Sequence, residues 1–70
     1  MPHIAVDAMG GDSGPSVVVL AIRDLVKGHP DVVFHVVGDS GILQAGLARA
    51  RLQGSSQIVV HHAVFSNNHL

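Results

Sequence analysis

The chain has 70 residues, enough for one small domain or for a piece of a larger one. Hydrophobic residues make up 47% of it and charged residues 13%, which excludes a disordered tail and a basic nucleic-acid-binding arm. Four Lys and Arg residues against five acidic residues give a net charge of −1, so charge indicates no nucleic-acid partner. The chain has no cysteine, and its longest apolar run, residues 17–22, is far shorter than the ~18 residues of a membrane helix. We therefore expect a cytoplasmic protein.

Residues 3–7 predict a short strand that ends on Asp7, and Pro15 marks the start of a helix. Proline suits the first turn of a helix, where its missing N–H costs nothing. Gly28 followed by Pro30 predicts the end of this helix. Apolar residues at helical spacing predict the face that packs on the core: Val18, Val19, Ile22, Leu25 and Val26.

Residues 32–37 predict a second strand, 42–52 a second helix and 57–61 a third strand. The second strand is apolar on both faces, which is typical of a strand in a parallel sheet. Asp39 and Ser40 precede the second helix as candidate N-caps. The residues predicted to face the core from this helix are Leu43, Leu47 and Ala50.

The fold class is therefore α/β, a β-α-β-α-β unit with parallel strands joined by right-handed crossovers. Apolar parallel strands are normally covered on both faces, and two helices cannot cover both faces of three strands. We expect residues 1–63 to be part of a larger Rossmann-like α/β domain, or to hide the bare face by association. Residues 64–70 are expected to form an irregular polar tail.

Three segments of this unit are predicted at the carboxyl edge of the sheet, where open α/β sheets bind ligands: residues 7–14, 38–41 and 61 onward. Seven residues separate Asp7 from Pro15, which is long for a strand-to-helix loop. Glycine N–H groups and a helix N-terminus together suit a phosphate oxygen. The glycines of this loop are Gly10, Gly11 and Gly14.

The glycine spacing matches neither the Walker motif nor the dinucleotide fingerprint, so a connector that only needs positive φ is an equal alternative. A site role is favoured for Asp7, because it is an acid at the end of a strand. Asp12 either serves the site or is simply an acidic side chain stabilised near the positive N-terminal end of the helix. Asp39 is better explained as a helix cap than as a site residue, and Met9 either lines a ligand or plugs the loop.

Six histidines invite a metal hypothesis, but their spacing does not support one. The adjacent His61 and His62 point to opposite faces of a strand, and no H-x-x-x-H motif occurs. We expect these histidines to be structural or incidental, with no metal site.

The run Ile-Ala-Val-Asp-Ala-Met-Gly-Gly-Asp at residues 4–12, followed by Gly14 and Pro15, resembles the opening signature of the bacterial phosphate acyltransferase (PlsX) family. Residues 36–39 and 58–63 are similar to that family's second-strand exit and third strand. The resemblance covers nearly the whole chain, from about residue 3 to residue 63.

This resemblance implies a larger α/β sandwich, related to isocitrate-dehydrogenase-like enzymes, that transfers a fatty acyl group from acyl carrier protein to inorganic phosphate. The acyl phosphate would pass to a membrane-bound glycerol-phosphate acyltransferase, and the complete enzyme would be a homodimer, cytoplasmic or peripheral at the inner membrane face. No cofactor is implied. Carried over to this sequence, catalytic roles fall on Asp7 and Asp12, and substrate or phosphate binding falls on Met9, Gly10, Gly11, Gly14, Gly38 and Asp39.

The family is several times longer than this chain, and its later glycine-rich segments are missing here. We therefore expect an incomplete and inactive piece. Only Arg49 and Arg51 cluster as basic residues, so the docking surface for an acidic carrier protein is expected mostly elsewhere. The alternative function is a small non-catalytic module that binds phosphate or a nucleotide.

Overall fold

The computed structural model describes residues 1–9 and 14–63, so Gly10, Gly11, Asp12 and the predicted tail 64–70 lie outside the described residues. The described elements follow the predicted order: β1 His3–Asp7, α1 Gly14–Gly28, β2 Val33–Gly38, α2 Ser40–Arg49 and β3 Ile58–His62. The predicted β2 and β3 each began one residue too early. Neither described helix has the length and apolar character needed to cross a bilayer.

The three strands form one parallel sheet in the order β1-β2-β3. In the register, Ile4 pairs with Phe34 and Phe34 pairs with Ile58, and Val36 lies between Val6 and Val60 two residues further along. Alternate side chains of a strand point to opposite faces, so these residues share one face of the sheet. The β-α-β-α-β prediction is confirmed.

Both helices lie on the same face of the sheet and contact one another. A sheet that adds its strands in sequence through right-handed crossovers places successive helices on one side. Gly46 of α2 allows this close contact, because a Cβ at that position would lie 3.2 Å from Val19 Cγ2 of α1. The buried cluster between the layers joins both helices to β2: Ala8, Val19, Ile22, Val36, Leu43 and Leu47.

Leu25 was predicted to face this core, but 41% of its surface is exposed. The reason is that β1 is the last strand on its side within the described part of the chain, so no further strand covers Leu25 there. Leu25 instead lines an open groove beside β1. The rest of the predicted α1 face is confirmed, with Val19 and Ile22 buried and Val18 and Val26 packed against the core.

Helix α2 begins earlier and ends earlier than the predicted span 42–52. Its end is a Schellman motif, in which Arg51 N–H donates to Ala48 O and Leu52 N–H donates to Leu47 O at 2.8 Å. Arg51 adopts the left-handed conformation, φ 60°, that glycine usually takes at this position. The turn lets Leu52 pack against the core, so the helix stops three residues before the predicted end.

Candidate functional site

The ends of the three strands meet at the carboxyl edge of the sheet, as predicted. Asp7 pairs in register with Val37, and Gly38 pairs with His62. Two further hydrogen bonds extend the sheet beyond these residues, from Ala8 N–H to Val37 O and from Ala63 N–H to Gly38 O, both at 2.9 Å. The backbone on which the candidate residues sit is therefore held by the sheet on both sides of β2.

Asp7 lies exposed at the end of β1 and shapes the start of the loop that follows. Its Oδ1 accepts a hydrogen bond from Met9 N–H at 2.9 Å, an Asx-type turn. A carboxylate has two oxygens and about four lone-pair sites, so this bond uses only part of its capacity as an acceptor. Asp7 is thus a carboxylate held by one hydrogen bond at the carboxyl edge of the sheet.

Met9 packs against the end of β2, the arrangement expected if it plugs the base of the loop. A Cβ on Gly38 would lie 3.0 Å from Met9 Cγ and 3.1 Å from its Cε. It would also lie 3.2 Å from Leu43 Cδ1. A larger residue at position 38 would therefore require the Met9 side chain to shift by a few tenths of an ångström.

Asp39 is the N-cap of α2, as its cap interpretation predicted. Its Oδ1 accepts a hydrogen bond from Ile42 N–H at 3.1 Å. The neighbouring donor, Ser40 N–H, is taken by His62 Nδ1 at 3.0 Å. Sequence reasoning missed His62, whose place beside α2 depends on the pairing of Gly38 with His62. Two of the N–H groups at the start of α2 are thus satisfied by side chains.

Gly14 opens α1 with φ 80°, a left-handed conformation that favours glycine. It lies with Asp7 at the mouth of an open groove of about 320 Å³ between β1 and α1. The other lining residues are all apolar: Val6, Ala8, Val17, Val18, Ala21, Ile22 and Leu25. The groove combines one carboxylate with walls suited to an alkyl chain. The predicted site residues Gly10, Gly11 and Asp12 lie outside the described residues.

Three histidines form a row across the sheet face opposite the helices. His3 Nδ1 lies 2.8 Å from His35 Nε2, and His35 Nδ1 lies 2.8 Å from His61 Nε2. The ring centroids are 5.0 and 5.1 Å apart, so the rings meet edge to edge. His35 uses a different nitrogen in each contact, which makes the row a chain of hydrogen bonds. Over residues 1–9 and 14–63, no three potential ligands form a metal-binding group.

The histidine row predicts that hydrogen-bonded neighbours in it, such as His3 and His35, contribute to the free energy of unfolding in a coupled way. We expect the double-mutant cycle of His3→Ala and His35→Ala to give a coupling of about 1 kcal/mol, the usual net value of one hydrogen bond. The cycle of His3→Ala with His61→Ala is the matched control, because those two rings make no hydrogen bond with each other. Urea unfolding of the four variants in each cycle measures both. Equal couplings in the two cycles would contradict the arrangement.

Comparison with known proteins identifies a group of relatives. No family model matches the chain. A phosphate acyltransferase from Methylococcus capsulatus is 43% identical over 63 residues, which are 90% of this chain and 19% of the relative. One from Idiomarina loihiensis is 44% identical over 61 residues, 87% of this chain and 18% of the relative. One from Polaromonas sp. is 47% identical over 53 residues, 76% of this chain and 14% of the relative.

These similarities confirm the resemblance that the motif at residues 4–12 indicated. The chain spans about a fifth of the length of the Methylococcus capsulatus and Idiomarina loihiensis relatives. Over most of its length, the chain is therefore similar to one segment of phosphate acyltransferases.

Proposed function

We propose that the chain forms the phosphate-side edge of an enzyme that transfers a fatty acyl group from acyl carrier protein to inorganic phosphate. The observation that carries this proposal is the meeting of Asp7 with the apolar groove at the carboxyl edge. A carboxylate acceptor beside a groove suited to an alkyl chain is what a site needs when a phosphate must meet an acyl group. The relationship to phosphate acyltransferases supports it.

In the proposed reaction, an oxygen of hydrogen phosphate attacks the thioester carbonyl of the acyl carrier. A C–O bond forms, the C–S bond breaks, and the proton lost by the phosphate goes to the departing thiolate. The products are an acyl phosphate and the free thiol of the carrier. Because phosphate itself is the nucleophile, the chain needs no activated Ser, Cys or Lys; it must position the phosphate and stabilise the oxyanion.

Asp7 is proposed to accept a hydrogen bond from the phosphate hydroxyl and so hold the attacking oxygen in line. Its own position is fixed by Met9 N–H, which supports such a positioning role. Backbone N–H groups at Gly10, Gly11 and Gly14 are proposed to contact the phosphate, with Asp12 as a second acidic group. Gly38 and Asp39 are proposed to shape the same edge through their places at the start of α2.

The fate of the product and the assembly of the complete enzyme are part of the same proposal. The acyl phosphate would be consumed by a membrane-bound glycerol-phosphate acyltransferase, and the complete enzyme would act as a cytoplasmic homodimer. The 70-residue chain by itself is expected to be inactive. Its described residues supply Asp7 and the apolar groove beside it, and the Methylococcus capsulatus relative is about five times longer.

The test is a spliced enzyme in which residues 1–63 replace the matching segment of the Methylococcus capsulatus relative. We expect Asp7→Asn in this enzyme to lower kcat for acyl phosphate formation by about 10²-fold, the scale of losing one positioned proton-handling group. The matched control is Asp31→Asn, which removes an exposed carboxylate just before β2, at the opposite edge of the sheet. Trapping the acyl phosphate with hydroxylamine measures the rate.

An unchanged kcat in Asp7→Asn, or an equal loss in both variants, would remove Asp7 from the mechanism. The non-catalytic alternative makes a different prediction for the same protein. It expects saturable binding of phosphate or a nucleotide with no acyl phosphate formed by the unsubstituted spliced enzyme. Calorimetry with inorganic phosphate and ATP, run beside the activity assay, separates the two.

A further inference from the structure

A second groove lies between the two helices, away from the carboxyl edge of the sheet. It has a volume of about 230 Å³ and shares no lining residue with the groove beside Asp7. Its lining residues come from both helices and the first residue after α2: Ser16, Val19, Leu20, Arg23, Gly46, Arg49 and Ala50. Arg23 lies nine residues into α1 from Gly14, about 13 Å along the helix axis. Arg23 is therefore separate from the proposed phosphate position at the loop, whereas Ser16 lies in the first turn of α1, two residues after Gly14.

Arg23 of α1 and Arg49 of α2 line this groove, and none of its described lining residues is acidic. Two like charges that line one groove repel each other, and an anion bound between them would offset that repulsion. The chain as a whole carries a net charge of −1, so this local positive charge is not a general property of its surface. The arrangement is complementary to an anion.

The Arg23 side chain provides an independent indication that a partner belongs here. Its Nε atom is buried and has no hydrogen-bond partner among the described residues. Buried polar groups are nearly always hydrogen-bonded, and leaving a donor unpaired costs about 1–3 kcal/mol. A bound oxygen acceptor that reached this nitrogen would offset that cost.

We propose that this groove binds a phosphoryl group, held by Arg23 and Arg49. Planar guanidinium groups bind tetrahedral phosphate oxygens in pairs of parallel hydrogen bonds. A volume of 230 Å³ holds several waters or one such group, since a water occupies about 30 Å³. The site stands whether or not the chain takes part in acyl transfer, because it shares no lining residue with the groove beside Asp7.

The test is a titration of the isotope-labelled full chain with inorganic phosphate at constant ionic strength, followed by the NMR signal of Arg23 Nε–H. We expect a saturable shift of that signal. Arg49→Gln should weaken the phosphate affinity by about tenfold, the loss of one charge-assisted contact. Arg51→Gln is the matched control: it removes the same charge two residues away, outside the groove, and should leave the affinity unchanged.

The source of the phosphoryl group is distinguished by repeating the titration with phenyl phosphate. Saturation by both ligands assigns the groove to phosphate esters as well as the free ion, and saturation by inorganic phosphate alone assigns it to the free ion. A linear, non-saturating shift, or equal weakening by Arg51→Gln, would overturn the proposal as general screening. It would also be overturned if Arg49→Gln lowered stability to urea but left phosphate affinity intact, since Arg49 would then serve only the C-terminal end of α2.

Discussion

Leu43→Ala should abolish cooperative unfolding of the 70-residue chain. Leu43 is completely buried at the centre of the cluster that joins both helices to the sheet. Truncation of a buried leucine costs about 2–5 kcal/mol through lost burial and the cavity it leaves. A core of this size rarely supplies more than about 3–5 kcal/mol in total, so the loss would leave little net stability. Far-UV circular dichroism during urea unfolding measures it.

The matched control for this prediction is Ile42→Ala. Ile42 is the preceding residue of the same helix, and 52% of its surface is exposed. Its backbone N–H donates to the Asp39 cap, and that bond survives the substitution. We expect a change within about 0.5 kcal/mol, as for most surface substitutions. Equal effects of the two substitutions would show that the helix layer does not pack as described.

Gly38→Val should lower stability by about 3 kcal/mol and displace the start of the candidate loop. The first added carbon alone would lie 3.0 Å from Met9 Cγ and 3.2 Å from Leu43 Cδ1. Overpacking of a filled site costs about 1–3 kcal/mol, and the two valine methyl groups raise the cost above that of alanine. Because Met9 N–H is bonded to Asp7, movement of Met9 should also reduce acyl phosphate formation in the spliced enzyme.

Two comparisons isolate this contact. Gly28→Val is the control, because a Cβ at Gly28 meets no atom within 4 Å. Met9→Ala is the rescue: in that background, Gly38→Val should lose about half of its cost, since the nearest contact is gone. No rescue by Met9→Ala would mean that the strain arises elsewhere, and the plug assigned to Met9 would be wrong.

The elements of the fold were predictable because their signals are local. Pro15 and Gly28 marked α1, and Asp39 marked the start of α2, as the structure confirms. The end of α2 was not predictable, because an arginine takes the left-handed position where sequence rules expect glycine. The exposure of Leu25 was also not predictable from the sequence, because it depends on β1 being the outer strand of the described sheet.

The candidate site was predictable only in part. Asp7 stood out because an acid at a strand end needs no tertiary information to be placed at the carboxyl edge. The tight contact of Met9 with Gly38 joins residues far apart in sequence, so no local pattern reveals it. The histidine row depends in the same way on the register of three strands, which pairs His3 with Val33 and so leaves His35 as its diagonal neighbour on the same face. The roles of Asp12 and the loop glycines remain predictions from the sequence.

The rate of acyl phosphate formation by the unsubstituted spliced enzyme tests most directly whether this chain is a working segment of a phosphate acyltransferase. If residues 1–63 supply the phosphate-side edge, the spliced protein should retain a rate within about tenfold of its Methylococcus capsulatus parent, a barrier change of about 1.4 kcal/mol. A spliced protein that unfolds cooperatively like the parent but forms no acyl phosphate would contradict the account.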